Sequence, residues 1–261
     1  MDPKVKMLNK ELISECSYFF YTRSDLINSF IDTTQVYTNL ELKKVDCIDE
    51  SFIESYIKSD LKEYEEQYCN KLNPEAVDSS EYYEILSSRE QWLYEELVQY
   101  KNISILQSIS LLCNYFEKSL RELLLQLENE FKYSNKYSLN NFNEVHFLKR
   151  TDILKFSPVS LVKEIKSELN FSIDENVLEL YSDLINTYKH GQGNSFNKII
   201  NSKFIDKNKD NYFSDDLPLS AFLAFNHNIF NLKKEYINEY SNAIIQFWKS
   251  LIRESRKNLF L

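Results

Sequence analysis

Only two of the 261 residues are glycine, and both lie in Lys189-His190-Gly191-Gln192-Gly193. Ordinary usage of about 7% would give a chain of this length roughly 18. A G-x-G-x-x-G dinucleotide loop needs three glycines, and a P-loop needs two at its own spacing before Lys-Ser/Thr; this chain can form neither. Many-stranded sandwiches and barrels place Gly and Pro in their turns, and the chain has 4 prolines. Long helices need few of either residue. The expected fold class is therefore all-α, a helical bundle.

The chain can fill a core: 43% of residues are hydrophobic, and 18 Tyr and 18 Phe argue against disorder. No apolar run approaches the ~20 residues of a membrane span. Residues Met1 to Lys10 lack the apolar stretch of a signal peptide, so a cytoplasmic protein without membrane attachment is expected. The four cysteines, Cys16, Cys47, Cys69 and Cys113, form no C-x-x-C pair and read as buried free thiols. Charge is uneven. Residues 1–130 carry 25 acidic and 13 basic side chains, a net −12, whereas residues 131–261 carry 15 and 18, a net +3. Only the second half could offer a polyanion a basic surface; the acidic half could dock on a basic partner.

Apolar spacing near 3.6 predicts helices over 5–35, 49–71, 79–99, 103–132, 158–169 and 172–190, and one long helix or two pieces over 219–258. In the second, Phe52, Tyr56, Leu61 and Tyr64 are expected to point inward. Ser157-Pro158 supplies an N-cap with Pro at the first helical position. Ser172-x-x-Glu175 has capping-box spacing and opens a helix with the stripe Val177, Leu178, Tyr181, Leu184, Ile185, Tyr188. Residues 133–145 and 200–217 read as loops. The chain is divided at residue 100 into an N-terminal helical region (1–100) and a second helical domain (101–261), with one continuous domain as the alternative.

The glycine segment is the candidate site. Gly191 fits a helix C-cap, with Lys189 and His190 at the negative end of the helix dipole. Gly193 is not explained by the cap, and suggests close approach of the backbone to a ligand or to another helix. Asp183, Asn186 and His190 are spaced i, i+3, i+7 and share one polar helix face. An ordinary solvated face is the competing interpretation.

These residues resemble the HEPN superfamily, α-helical domains of prokaryotic toxin–antitoxin, abortive-infection and CRISPR-linked proteins. Asn186-Thr187-Tyr188-Lys189-His190 is similar to the Asn-x-x-x-His part of that family's ribonuclease motif, and Gly191 matches the small residue that often follows. Asn114-Tyr115-Phe116-Glu117 through Leu124 looks like the family's earlier apolar helix with its aromatic-Glu pair. The resemblance spans roughly 100–255 and implies a HEPN-like core with additional N-terminal helices. The family's arginine is missing: the positions five to seven before His190 are Ile185, Leu184 and Asp183. Arg121 is the substitute considered, with an intrahelical pair to Glu117 as the alternative.

The resemblance implies a metal-independent endoribonuclease without cofactor, His190 acting as acid/base while the RNA's 2′-hydroxyl attacks. Imidazole suits that task because it titrates near operating pH. Asn186 joins His190 as a catalytic candidate, and Asp183, Lys189, Gly191, Gly193, Ser195 and Arg121 are the candidate substrate contacts. His146 and His227 read as structural or surface residues, and the three histidines have no zinc spacing. Lys249, Arg253, Arg256 and Lys257 form a basic stripe that could contact phosphates or an acidic surface. The resemblance further implies a homodimer, an RNA substrate, and an antitoxin or effector partner. The alternative is a catalytically silent HEPN-like module that pairs with an effector or a nucleotidyltransferase.

Overall fold

The computed structural model describes residues 3–68, 79–136, 156–169, 175–190, 193–205 and 230–259. Among them the chain is all-α, with seven helices: α1 (Pro3–Asp46), α2 (Glu50–Tyr68), α3 (Ser79–Lys136), α4 (Pro158–Leu169), α5 (Asn176–His190), α6 (Asn194–Ile199) and α7 (Glu235–Leu259). The one bridge between extended residues pairs Ile205 with Phe230.

Residues 79–136 contain neither Gly nor Pro, so nothing in the sequence breaks α3. It runs for 58 residues, about 87 Å at 1.5 Å per residue. The expected break near residue 100 is absent. Asn102, between the two expected helices, is helical, and its Nδ2 donates to the Phe230 carbonyl at 3.3 Å. The boundary placed at residue 100 thus falls inside one continuous helix. Helix α1 packs along α3 and α7.

The main core lies where α1, α3 and α7 meet. Phe30 of α1, Phe116 of α3 and Phe247 of α7 all contact Trp248, with ring centroids 4.9–5.5 Å apart. Such tilted and edge-on pairs favour the ring quadrupoles as well as burying area. A buried hydroxyl pair, Thr38 Oγ1 donating to Ser241 Oγ at 2.7 Å, ties α1 to α7. Helices α4 and α5 cover one side of this core. The Ser157 cap holds, as Ser160 N–H donates to Ser157 Oγ at 3.2 Å. Lys166 joins α4 to Glu175 before α5 at 3.0 Å. Ser172 lies outside the described residues.

Helix α2 packs back on the N-terminal half of α3 around a separate small core of Ile53, Ile57 and Leu93, with Leu61 and Leu97. Here the expected inward face is corrected. Ile53 and Ile57 point in, while Phe52 and Tyr56 are exposed at 40% and 47%. The aromatic rings lie one residue off the buried stripe, and no element among the described residues covers them. Cys113 is buried as expected but Cys47 is exposed; Cys16 and Cys69 are outside the described residues or side chains. No helix among the described residues is long and apolar enough to cross a membrane.

Candidate functional site

The site is set by the register of α5. Leu178, Tyr181, Leu184 and Ile185 are buried in the main core, with Val177 and Tyr188 packed against it. With that stripe fixed, Asp183, Asn186 and His190 fall on the opposite side. Asn186 is half-buried, and Lys189 and His190 are exposed. The helix runs to His190, and Thr187 Oγ1, buried, donates back to the Asp183 carbonyl at 2.8 Å.

Asp183 and Ser195 come together, but they tie two helices and leave no open subsite between them. Ser195 Oγ donates to Asp183 Oδ1 at 2.8 Å, and Lys198 Nζ lies 3.1 Å from Asp183 Oδ2. The carboxylate clamps the first turn of α6 against α5. Gly193 precedes α6 with φ of 172°, extended backbone open to any residue. A Cβ there would meet nothing within 4 Å. The close approach inferred for Gly193 is therefore not found among the described residues. Gly191, His146 and His227 are outside the described residues.

On the facing surface of α3, Asn114, Glu117 and Arg121 follow at i, i+3, i+7 and line an open groove of about 430 Å³ together with Lys118, Glu122 and Leu125. Lys189 Nζ reaches from the end of α5 to Asn114 Oδ1 at 3.2 Å. Asn114 and Glu117 thus border the α5 end without having been singled out as site residues. Their spacing with Arg121 is the signal that could have found them.

Arg121 is already engaged. One Nη donates to Glu117 and, at 2.9 Å, to the Phe156 carbonyl just before α4. Seven residues separate it from Asn114, about 10 Å along the helix. The side chain that the α5 end brings to α3 is Lys189, and the intrahelical pairing of Arg121 with Glu117 is the arrangement found. Two of the three arginine positions of the family pattern lie in the core: Leu184 and Ile185 are 0% and 1% exposed, while the third, Asp183, is bonded to Ser195 and Lys198. A guanidinium at either core position would be buried without a partner.

Thiol chemistry has no support here. Burial pushes the Cys113 thiol above its ordinary pKa, outweighing the lowering from Tyr240 and Lys189, so it stays a neutral core group. Among the described residues no three His, Cys, Asp or Glu side chains are grouped to hold a metal. On α7, Lys249 and Arg253 are exposed, whereas Arg256 and Lys257 lie beyond the described side chains. No family model, curated protein or solved structure matches the chain.

Proposed function

We propose that this chain is a HEPN-like module of a prokaryotic defence or toxin–antitoxin system that binds a partner effector or nucleotidyltransferase and does not itself cut RNA. One observation carries the choice of binding over cleavage: among the described residues of α5, none on the exposed face of His190 is arginine. Of the positions that would supply one, Leu184 and Ile185 are core residues and Asp183, on the His190 side, carries a carboxylate bonded to Ser195 and Lys198; the substitute considered, Arg121, is held by Glu117 and the Phe156 carbonyl. The adjacent Lys189 is turned to Asn114 on α3, and imidazole without a cation on its own face lacks the charge that stabilises a developing phosphorane. The protein acts in the cytoplasm as a homodimer on this reading, the second copy covering the end of α5.

The exposure of His190 favours a second reading, a metal-independent endoribonuclease in which His190 is acid/base and Asn186 orients it. The two separate in one experiment. Wild-type protein and His190→Ala are incubated with single-stranded and hairpin RNA in the presence of chelator. Equal, background-level cleavage is expected. Cleavage that disappears with His190→Ala would overturn the silent module in favour of the nuclease.

A further inference from the structure

The α2–α3 hairpin carries a surface that the α5 site does not use. Segments 50–68 and 79–99 together hold 11 acidic and 3 basic side chains. On α2, Phe52 and Tyr56 are one turn apart and their rings are 6.2 Å apart. On α3, Ile85 and Trp92 are spaced i, i+7 and are likewise exposed, Trp92 at 52%. Helical spacing puts each pair on one flank of its helix. Arg89 shows that the two flanks lie side by side. From α3 it pairs with Asp60 of α2 at 2.6 Å, and its guanidinium sits 4.4 Å from the Tyr64 ring and 5.9 Å from Trp92.

That internal contact is a pattern for an external one. Arginine is well suited to this setting, because its planar, weakly hydrated fork both stacks on rings and pairs with carboxylates. Glu63, two turns on from Tyr56 and accepting from Gln67 Nε2 at 2.7 Å, and Glu96, one turn on from Trp92, lie on the same flanks, exposed. A second copy of the hairpin would bring like charge against like charge, and a nucleic acid would meet the same repulsion. Exposed rings among carboxylates match a cationic polypeptide.

We propose that this face of the α2–α3 hairpin docks an arginine-rich segment of a partner protein, whose guanidinium groups stack on Tyr56 and Trp92 and pair with Glu63 and Glu96. The assignment is independent of whether His190 cuts RNA. The chain has 2 tryptophans. Trp92 is exposed and Trp248 is fully buried, so intrinsic fluorescence reports on this face.

The test uses the full-length protein with dye-labelled oligoarginine and oligolysine of equal length, followed by anisotropy and by Trp fluorescence. Oligoarginine is expected to bind more tightly than oligolysine and to change Trp92 emission. Tyr56→Ala/Trp92→Ala keeps every charge and should weaken oligoarginine by roughly fivefold per ring, leaving oligolysine nearly unchanged. Glu63→Gln/Glu96→Gln keeps both rings and should weaken both peptides. Circular dichroism checks that each variant is folded. Equal affinity for the two peptides, or an oligoarginine affinity untouched by the ring deletions, overturns the proposal. So does a single-stranded RNA oligonucleotide that changes Trp92 emission, or a dimer that the ring deletions convert to monomer.

Discussion

The α1–α3–α7 core and the α2–α3 hairpin share one helix and end up as opposites. In the first, three helices surround Trp248 and Phe116, and aromatic rings are enclosed on every side. In the second, two helices meet along a stripe of Ile53, Ile57 and Leu93, and the rings are left outside. Two helices can cover only the stripe between them; a third is needed to cover the flanks. One continuous helix, α3, belongs to both regions, so the difference comes from how many neighbours it has along its length. The core is where stability resides, and the hairpin is where surface is available for recognition.

Substitutions in the two regions should separate sharply. Phe116→Ala removes a fully buried ring that touches both Phe247 and Trp248; a loss of about 3–5 kcal/mol is expected from urea unfolding. If it costs no more than a hairpin substitution, the contrast fails. Leu93→Ala should cost about 2 kcal/mol and act locally. Amide exchange would quicken over 50–68 and 79–99 while amides of α7 keep their protection. A uniform increase would mean the hairpin and core unfold as one unit.

Between them stands the clamp at the α5 end. Asp183→Ala frees Ser195 and Lys198 and should cost about 1–2 kcal/mol, with α6 loosened in amide exchange and α2 unchanged. No change at α6 would remove Asp183 from the role of tie.

The smallest effect is one of pH and is confined to the hairpin. Asp49 caps α2, accepting the Phe52 N–H at 2.8 Å and the Ser51 hydroxyl at 2.9 Å. The Phe52 bond first, then Ser51, holds its carboxyl below the ordinary value. A depressed pKa favours the folded cap above about pH 4, and that contribution is lost as pH falls through the lowered value. Asp49→Asn keeps an acceptor and should flatten the pH dependence of α2 amide exchange. A variant that titrates like the wild type would locate the effect elsewhere.

The helical character was legible because it rests on local chemistry. Two glycines and four prolines leave few places for a chain to turn, and the stripe Leu178, Tyr181, Leu184, Ile185 marks its own buried face. At the candidate site the same stripe showed which side Asp183, Asn186 and His190 would take. It could not show what they meet. Asp183 turned out to bond Ser195, twelve residues on, and Lys189 to reach Asn114, seventy-five residues back. Neither pairing has a signature within one helix.

The sequence by itself determined that this protein is helical, where its breakers fall, and which residues of α5 face inward, since each depends on spacing within a few turns. Only the tertiary structure decided that α3 passes unbroken from hairpin to core, that the Phe156 carbonyl also takes Arg121, and that Phe52 and Tyr56 face solvent. Those outcomes depend on which distant helix arrives to cover a face, and periodicity along one helix does not encode its neighbours.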